Sequence, residues 1–240
     1  MPTYECKLTR REEVAEGTMA FHFEKPPGFQ FKPGQCADLT LLNPPETDGE
    51  GNIRTFSFVS PPYEDELAFA TRLRDSAFKR VLRTVPIGTA VGLDGPMGSF
   101  TLHKNAAKPG VFLTGGIGIT PFLSILRQVA KDGLSYQLYL FYSNHRPEDA
   151  AFLDALRELA TGRPGIHFIP TMTNMAKSQK QWTGETGHIT RDMLQKYLPS
   201  LQGPIYYIAG PPGMVAAMRE MLPAVGVDED DIRSEEFAGY

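Results

Sequence analysis

The stretch Val111-Phe112-Leu113-Thr114-Gly115-Gly116-Ile117-Gly118-Ile119-Thr120-Pro121 decides the fold. Its first four residues form a short strand of the buried type, and a helix follows the glycine turn to about Ala130. Glycines between a strand and a helix let the backbone approach a ligand closely, and the free amides of the helix start can hold a pyrophosphate. The pattern is not a standard G-x-G-x-x-G and lacks the lysine of a P-loop. Taken alone, it indicates a tight structural turn as readily as a ligand site.

Strands and helices alternate along the rest of the second half of the chain. We expect strands at Gln137–Tyr142, His167–Thr171 and Ile205–Ile208, and helices at Ala150–Ala160 and Met214–Leu222. This alternation predicts a mainly parallel sheet covered on both faces, which is an α/β domain.

A second glycine turn, Ala209-Gly210-Pro211-Pro212-Gly213-Met214, follows the last of these strands. Ligands of open parallel sheets bind beyond the carboxyl ends of the strands. The two glycine turns are therefore predicted to flank one crevice, with Gly116, Gly118, Gly210 and Pro211 as candidate nucleotide-binding residues.

The first half of the chain consists of short strand-like segments separated by Gly, Pro and charged residues. The strands are expected at Phe21–Phe23, Gln35–Leu41, Arg54–Ser60, Leu67–Leu73, Thr89–Leu93 and Ser99–Leu102, with one helix at Ala77–Thr84. This spacing predicts a small antiparallel β barrel or sandwich. We therefore expect two domains, residues 1–105 and residues 106–240.

Composition excludes several classes of function. The 240 residues are 41% hydrophobic and 22% charged, and the 24 basic and 28 acidic residues give a net charge of −4. No positive field favours nucleic acid or an anionic membrane. Cys6 and Cys36 provide neither a disulfide framework nor the spacing of a zinc or iron–sulfur site. No signal peptide follows Met1, and the uncharged stretch 109–126 is broken by Gly and Pro. We expect a cytoplasmic monomer without a bound metal.

Arg54-Thr55-Phe56-Ser57 carries the most distinctive chemistry of the first half. On a strand, Arg54 and Phe56 project to one face. An arginine can pair bidentately with a phosphate, and an aromatic ring offers a stacking surface to a planar heterocycle. A barrel strand with a surface arginine and a core phenylalanine would have the same sequence.

A short basic cluster adds to this pattern. Thr71-Arg72-Leu73 ends a strand, and Ser76-Ala77-Phe78-Lys79 begins the expected helix. A helix start together with Arg72 and Lys79 suits a pyrophosphate. Arg80 and Arg83 are expected to form a solvated basic helix face.

In combination these segments resemble the ferredoxin–NADP reductase superfamily, which includes the reductase parts of flavohaemoglobins and of multicomponent oxygenases. The matching segments, in family order, are Phe31-Lys32-Pro33-Gly34-Gln35, Arg54-Thr55-Phe56-Ser57, Gly95-Pro96-Met97-Gly98-Ser99-Phe100, Gly115-Gly116-Ile117-Gly118-Ile119-Thr120-Pro121, Ala209-Gly210-Pro211-Pro212 and Glu235-Glu236-Phe237. They cover nearly the whole chain. Each is only moderately specific, but their order and spacing make the set a strong signal.

The resemblance implies a six-stranded antiparallel FAD-binding barrel followed by a nucleotide-binding α/β domain. It implies that Arg54 binds the flavin phosphates, that Phe56 stacks on the flavin and that Ser57 bonds its reactive edge. The other residues implied to line the FAD are Thr55, Thr71, Arg72, Leu73, Ala77, Phe78 and Lys79. Thr120 would lie where flavin and nicotinamide meet, and Glu235 and Phe237 near the flavin ring. Ser57, Thr120 and Glu235 are thus the expected catalytic residues.

Three departures from the family pattern matter. Phe56 replaces the usual tyrosine, so that stacking survives and a hydroxyl is lost. Ala209 stands where many members have a cysteine. The chain also continues past Phe237 to Tyr240, so either aromatic residue could cover the flavin; we favour Tyr240.

The expected activity is hydride transfer from NADPH or NADH to bound FAD, followed by electron transfer to a separate acceptor. That acceptor is a ferredoxin, a flavodoxin or a small molecule, and the basic cluster could either dock it or be used on FAD. Arg146 could meet a 2′-phosphate or have only a surface role. Two alternatives are a free-flavin reductase and a non-catalytic nucleotide-sensing or electron-transfer subunit of a larger complex.

Overall fold

The computed structural model describes residues 4–237, which form two compact units. The first unit comprises the described residues up to Thr101 together with Thr120–Gln128, and the second comprises Leu102–Ile119 together with the described residues from Val129 onward. The expected boundary after residue 105 stays a prediction. Each unit contains its own sheet.

The first unit is an antiparallel sheet of six strands with one helix. The strands are β1 (Tyr4–Ala15), β2 (Thr18–Glu24), β3 (Cys36–Leu41), β4 (Ile53–Ser57), β5 (Glu66–Arg72) and β6 (Ala90–Met97), and the helix is α1 (Ala77–Thr84). Their order in the sheet is β4-β3-β6-β1-β2-β5. The ladders between neighbouring strands are antiparallel, as predicted.

Aromatic side chains fill the interior of this sheet. Phe21 and Phe23 lie on one face of β2, and Phe69 of β5 is buried with them. Phe56 and Phe69 lie 6.3 Å apart between ring centroids, although β4 and β5 are the two ends of the strand order. The sheet therefore curls until its edge strands share one core.

The second unit is a parallel sheet with helices. Its strands are β7 (Gly110–Gly115), β8 (Leu138–Asn144), β9 (Ile166–Met172), β10 (Glu185–Thr186), β11 (Ile205–Gly210) and β12 (Ile232–Glu236). Its helices are α3 (Leu153–Thr161), α4 (Arg191–Tyr197) and α5 (Pro212–Ala224), while α2 (Ile119–Asp132) contributes Thr120–Gln128 to the first unit.

The strand order of the second sheet is β10-β9-β8-β7-β11-β12, and its ladders are parallel. Every residue of β7 and of β11 is buried, because strands in the middle of a parallel sheet are covered on both faces. The predicted fold class, an antiparallel unit followed by a parallel α/β unit, is confirmed.

Several elements differ from those expected from the sequence. β1, β10, β12 and α4 were not predicted, and the segment Ser99–Leu102, which was predicted as a strand, has no regular structure. Gly98 at φ +91° ends the extended backbone before that segment. The predicted helix Ala77–Thr84 matches α1.

Among residues 4–237, no helix combines the length and the apolar character needed to cross a membrane. In the same residues, no three His, Cys, Asp or Glu side chains gather in a way that could hold a metal ion.

Candidate functional site

In the first unit, the face of β4 that carries Arg54 and Phe56 packs beside α1. The Arg54 guanidinium lies 5.3 Å from the centre of the Phe78 ring, and the Phe56 and Phe78 rings are 5.9 Å apart. Phe56 is half-buried, whereas Phe78 is only 1% exposed. The buried Phe78 ring therefore packs against both Arg54 and Phe56, and Phe56 offers the more accessible aromatic surface.

The remaining residues of β4 point elsewhere. Thr55 is exposed on the opposite face, where its hydroxyl donates to Asp38. Ser57 ends the strand and is buried at 4% exposure. The predicted alternation of this segment is thus present in the structure, and Thr55 lies away from Arg54.

Arg54 is surrounded by acceptors from the preceding loop. Its Nη1 donates to the carbonyl oxygens of Glu50 (2.9 Å), Gly51 (3.2 Å) and Ile53 (2.7 Å). Its Nη2 lies 2.7 Å from a carboxylate oxygen of Glu50 and 3.7 Å from one of Asp48. The guanidinium is held in place by this loop, and only 18% of its side chain is exposed.

The start of α1 has two side-chain caps. Ser76 is the N-cap residue, and its hydroxyl accepts from the Lys79 amide at 3.4 Å. The Asp48 carboxylate accepts from the Ala77 amide at 2.7 Å. That amide, more than any other group, holds the pKa of Asp48 below its ordinary value.

Lys79 stands one turn into α1 and is half-buried. Desolvation, followed by the charges of Arg74 and Arg54, lowers the pKa of its ammonium group. Burial is the main cause of this shift, and the two arginines add to it because they lie near Lys79. Three cationic side chains therefore lie close together at this end of the helix, where an anion could bind.

The end of β5 completes this part of the first unit. Thr71 is buried, and Arg72 pairs with Thr18 across the β2–β5 ladder. Leu73 is half-buried against the core, and its amide donates to the Gly17 carbonyl at 2.7 Å. The strand therefore delivers the chain to the α1 start in a fixed position.

In the second unit, the two glycine turns pack directly against each other. A Cβ on Gly118 would lie 2.3 Å from the Ala209 carbonyl oxygen, and one on Gly210 would lie 3.1 Å from the Gly115 amide nitrogen. The Thr114 hydroxyl donates to the same Ala209 carbonyl at 2.8 Å. Gly118 is therefore explained by close backbone packing, and Gly116, at φ +51°, by the left-handed turn.

β12 brings the C-terminal segment to these turns. Glu235 pairs with Ala209 and Glu236 with Gly210 in the β11–β12 ladder, and the Phe237 amide donates to the Gly210 carbonyl at 3.1 Å. Burial raises the pKa of the Glu235 carboxyl to about 7. Tyr240, the favoured flavin cover, lies outside the described residues, while Phe237 is described and half-buried.

The last two predicted residues occupy helix starts. Thr120 is the second residue of α2 and is 3% exposed. Pro211 precedes α5, and its carbonyl accepts from the amides of Met214 and Val215. The structure thus gathers Gly118, Gly210, Pro211, Glu235 and Phe237 at the carboxyl edge of the parallel sheet.

Three residues that the sequence analysis did not select belong to these sites. Asp48 and Glu50 contact Arg54, and Asp149 binds Arg146 through two hydrogen bonds of 2.9 and 2.8 Å. The side chain of Asp149 is 6% exposed. The three-residue spacing of Arg146 and Asp149 was a visible signal, because such pairs meet on one helical turn.

Comparisons with known proteins agree with this architecture. Residues 112–220 match the oxidoreductase NAD-binding domain. The chain is 28% identical over 236 residues to the reductase component of propane 2-monooxygenase from Rhodococcus jostii, covering 96% of this chain and 62% of that protein. It is 30% identical over 240 residues to the electron transfer component of 2-halobenzoate 1,2-dioxygenase from Burkholderia cepacia, covering 97% and 67%.

The same fold occurs in the FAD/NAD-binding domain of nitric oxide dioxygenase from Vibrio cholerae, with a TM-score of 0.85, 20% identity and 99% coverage of both chains. The chain spans less than two thirds of the Rhodococcus jostii relative. Its two-unit fold, its NAD-binding domain match and its identity to the Burkholderia cepacia protein lead to one conclusion. The chain belongs to the ferredoxin–NADP reductase superfamily of oxidoreductases, together with reductase components of oxygenase systems.

Proposed function

We propose that this chain is an FAD-dependent oxidoreductase that transfers hydride from a nicotinamide nucleotide to bound FAD and then passes electrons to a separate acceptor. The observation that carries the proposal is the half-buried Glu235 carboxyl beside two interlocked glycine turns at the carboxyl edge of a parallel sheet. That edge is where nucleotides bind in such sheets.

The residues of the first unit fit a flavin dinucleotide. Arg54, the Ala77 amide and Lys79 are donors grouped at the α1 start, and a dinucleotide carries two phosphates. Phe56 adds a partly accessible aromatic surface on the same face as Arg54. These residues, with Ser57 and the Thr71–Leu73 segment, would hold FAD.

When bound, FAD supplies a ring that accepts a hydride and releases electrons. The chain's own residues position the groups and control protons. The turns at Gly116, Gly118 and Gly210 place backbone amides at the sheet edge, where they would hold the nucleotide pyrophosphate. The Glu235 carboxyl, with its pKa near 7, is able to carry or release a proton at physiological pH.

The acceptor is proposed from the relatives. The Rhodococcus jostii and Burkholderia cepacia proteins are components of a monooxygenase and of a dioxygenase, respectively. By analogy, the acceptor of this chain is a redox protein of an oxygenase system, such as a ferredoxin, or the oxygenase itself.

The experiment is an anaerobic titration. The purified protein, with FAD added, is freed of unbound flavin, its visible spectrum is recorded, and NADH or NADPH is added without oxygen. Retained flavin that bleaches on addition of nucleotide supports the proposal. Protein that retains no flavin but accelerates the reduction of added flavin indicates a free-flavin reductase. Protein that does neither contradicts an enzymatic role.

We also propose that NADH is the preferred nucleotide. Arg146 follows β8, where a 2′-phosphate would be read, but its guanidinium makes a bidentate ion pair with the buried Asp149 carboxylate. An arginine neutralised by a buried carboxylate attracts a 2′-phosphate weakly, since the pair carries no net charge.

The test compares kcat/KM for NADH and NADPH in the wild-type protein and in Asp149→Asn. The variant keeps the side-chain shape and removes the negative charge, so the NADPH/NADH ratio of kcat/KM is expected to rise by about tenfold. Asp154→Asn removes the exposed partner of Arg157 and serves as the control. A wild-type preference for NADPH would contradict this assignment.

A further inference from the structure

The loop before β4 carries three carboxylates that contact Arg54, Arg80 or the start of α1. We call residues Glu46–Gly51 the acidic strap. Both Glu46 carboxylate oxygens accept from Arg80, at 3.0 and 2.9 Å. Asp48 accepts from the Ala77 amide at 2.7 Å, and Glu50 from Arg54 at 2.7 Å. The strap is thus attached to α1 and to β4 by side chains of opposite charge.

Two of these contacts use donors that a flavin phosphate would need. The Arg54 Nη2 group is directed to the carboxylates of Glu50 and Asp48, and its Nη1 group to strap and neighbouring carbonyls. The Ala77 amide has no partner within α1, because it lies in the first turn, and it donates to the Asp48 carboxylate instead. A phosphate and the strap carboxylates therefore cannot use these donors at the same time.

The strap is held weakly enough to move. Thr47, Asp48 and Glu50 are exposed, and Gly49 has no neighbouring atom within 4 Å of the position of a Cβ. Its ion pairs lie at the surface, where each contributes little. Gly51, directly before β4, has a left-handed φ of +73°, which glycine adopts without strain.

We propose that the acidic strap is an autoinhibitory element whose carboxylates imitate phosphates, so that FAD binds only by displacing Asp48 and Glu50 from Arg54 and the α1 start. This inference rests on the proposed function of the same site. It predicts that the flavin is held in competition with the strap and is therefore exchangeable.

The experiment measures the Kd of FAD and of riboflavin by flavin fluorescence, in the wild-type protein, Asp48→Asn and Asp48→Gly. Asp48→Asn removes the charge but keeps an oxygen that can cap α1, while Asp48→Gly removes both. Asp65→Asn, an exposed carboxylate of the same unit, is the matched control for net charge. Thermal melts confirm that each variant is folded.

We expect FAD to bind about two- to fivefold more tightly to both Asp48 variants, because one carboxylate competitor is gone. Riboflavin has no phosphate, and its Kd is expected to stay unchanged, as is the Kd of FAD for Asp65→Asn.

Other results would overturn the proposal in distinguishable ways. Equal or weaker FAD binding in the Asp48 variants refutes the strap while leaving flavin binding intact. An equal gain for riboflavin shows that the strap acts on the ring and not on the phosphates. If neither flavin binds to any of the proteins, both the strap and the proposed function fail.

Discussion

Glu235 shows how one residue connects burial to pH dependence. Its carboxyl lies in the β11–β12 ladder beside Ala209, and burial raises its pKa to about 7. The folded protein thus holds the proton more tightly than the unfolded chain does. The resulting stabilisation is complete below the pKa of the unfolded chain and is lost as the pH rises through about 7.

Glu235→Gln removes this titration. The free energy of unfolding of the variant minus that of the wild-type protein is expected to be roughly 1–3 kcal/mol larger at about pH 8 than at about pH 5. Urea denaturation at the two pH values measures the difference. Glu236→Gln, at the exposed neighbouring position, is the control. A Glu235→Gln difference that does not vary with pH would show that the carboxyl is not perturbed.

Tyr207 is a second residue whose hydroxyl can be tested alone. It accepts from the buried His103 amide at 2.8 Å, and it also contacts His103 Nδ1 at 3.0 Å and Arg233 at 3.2 Å. Tyr207→Phe leaves that amide without this partner and is expected to cost about 1–3 kcal/mol of unfolding free energy. Tyr206→Phe removes a hydroxyl that donates to the Leu201 carbonyl at 2.7 Å, and it is expected to cost less. Thermal or urea melts compare the two variants.

Among elements, the two glycine turns depend on the contact between β11 and the start of α2. Gly118→Ala would place a Cβ 2.3 Å from the Ala209 carbonyl oxygen and 2.8 Å from the Gly210 Cα. Backbone on both sides leaves little room to yield, so we expect a loss of about 1–3 kcal/mol and weaker nucleotide binding. The control is Gly213→Ala in α5, where no atom lies within 4 Å and alanine favours the helix. Equal stability of both variants would contradict the packing described here.

Elements also show what the sequence could and could not predict. α1 was predicted with its observed bounds, because Ser76 caps it and Phe78, Val81 and Leu82 recur at helical spacing. β1 was missed, since four consecutive residues after Leu8, at positions 10–13, are charged. The hydrophobic pattern of such a strand is short, and only pairing with β2 and β6 defines it.

Some residues of the candidate sites could also be predicted from the sequence, and others could not. Arg54, the glycine turns and Glu235 could be selected because their residue types and order are local signals. Asp48 could not, because its role depends on the Ala77 amide, which is distant in sequence. The role of Arg146 toward a 2′-phosphate stays a prediction. Its three-residue spacing from Asp149 is visible in the sequence, but only the structure shows that the two side chains form an ion pair.

For the whole molecule, binding of FAD or NADH is expected to increase the thermal stability of the folded state. A ligand that binds only the folded state adds about 2.7 kcal/mol to the free energy of unfolding at one hundred times its Kd. We expect FAD to raise the Tm of the chain and NADH to raise it in a separate titration, measured by calorimetry. An unchanged Tm with saturating FAD would contradict the flavin site independently of any catalytic assay.

The two ends of the parallel sheet have a consequence for behaviour at high concentration. One edge strand, β10, is only two residues long (Glu185 and Thr186). The other edge strand, β12, carries the charged residues Arg233, Glu235 and Glu236. Short or charged edge strands are poor templates for edge-to-edge pairing with another copy. The sheet is thus protected against fibril-like association, and a design that lengthened β10 with apolar residues would remove that protection.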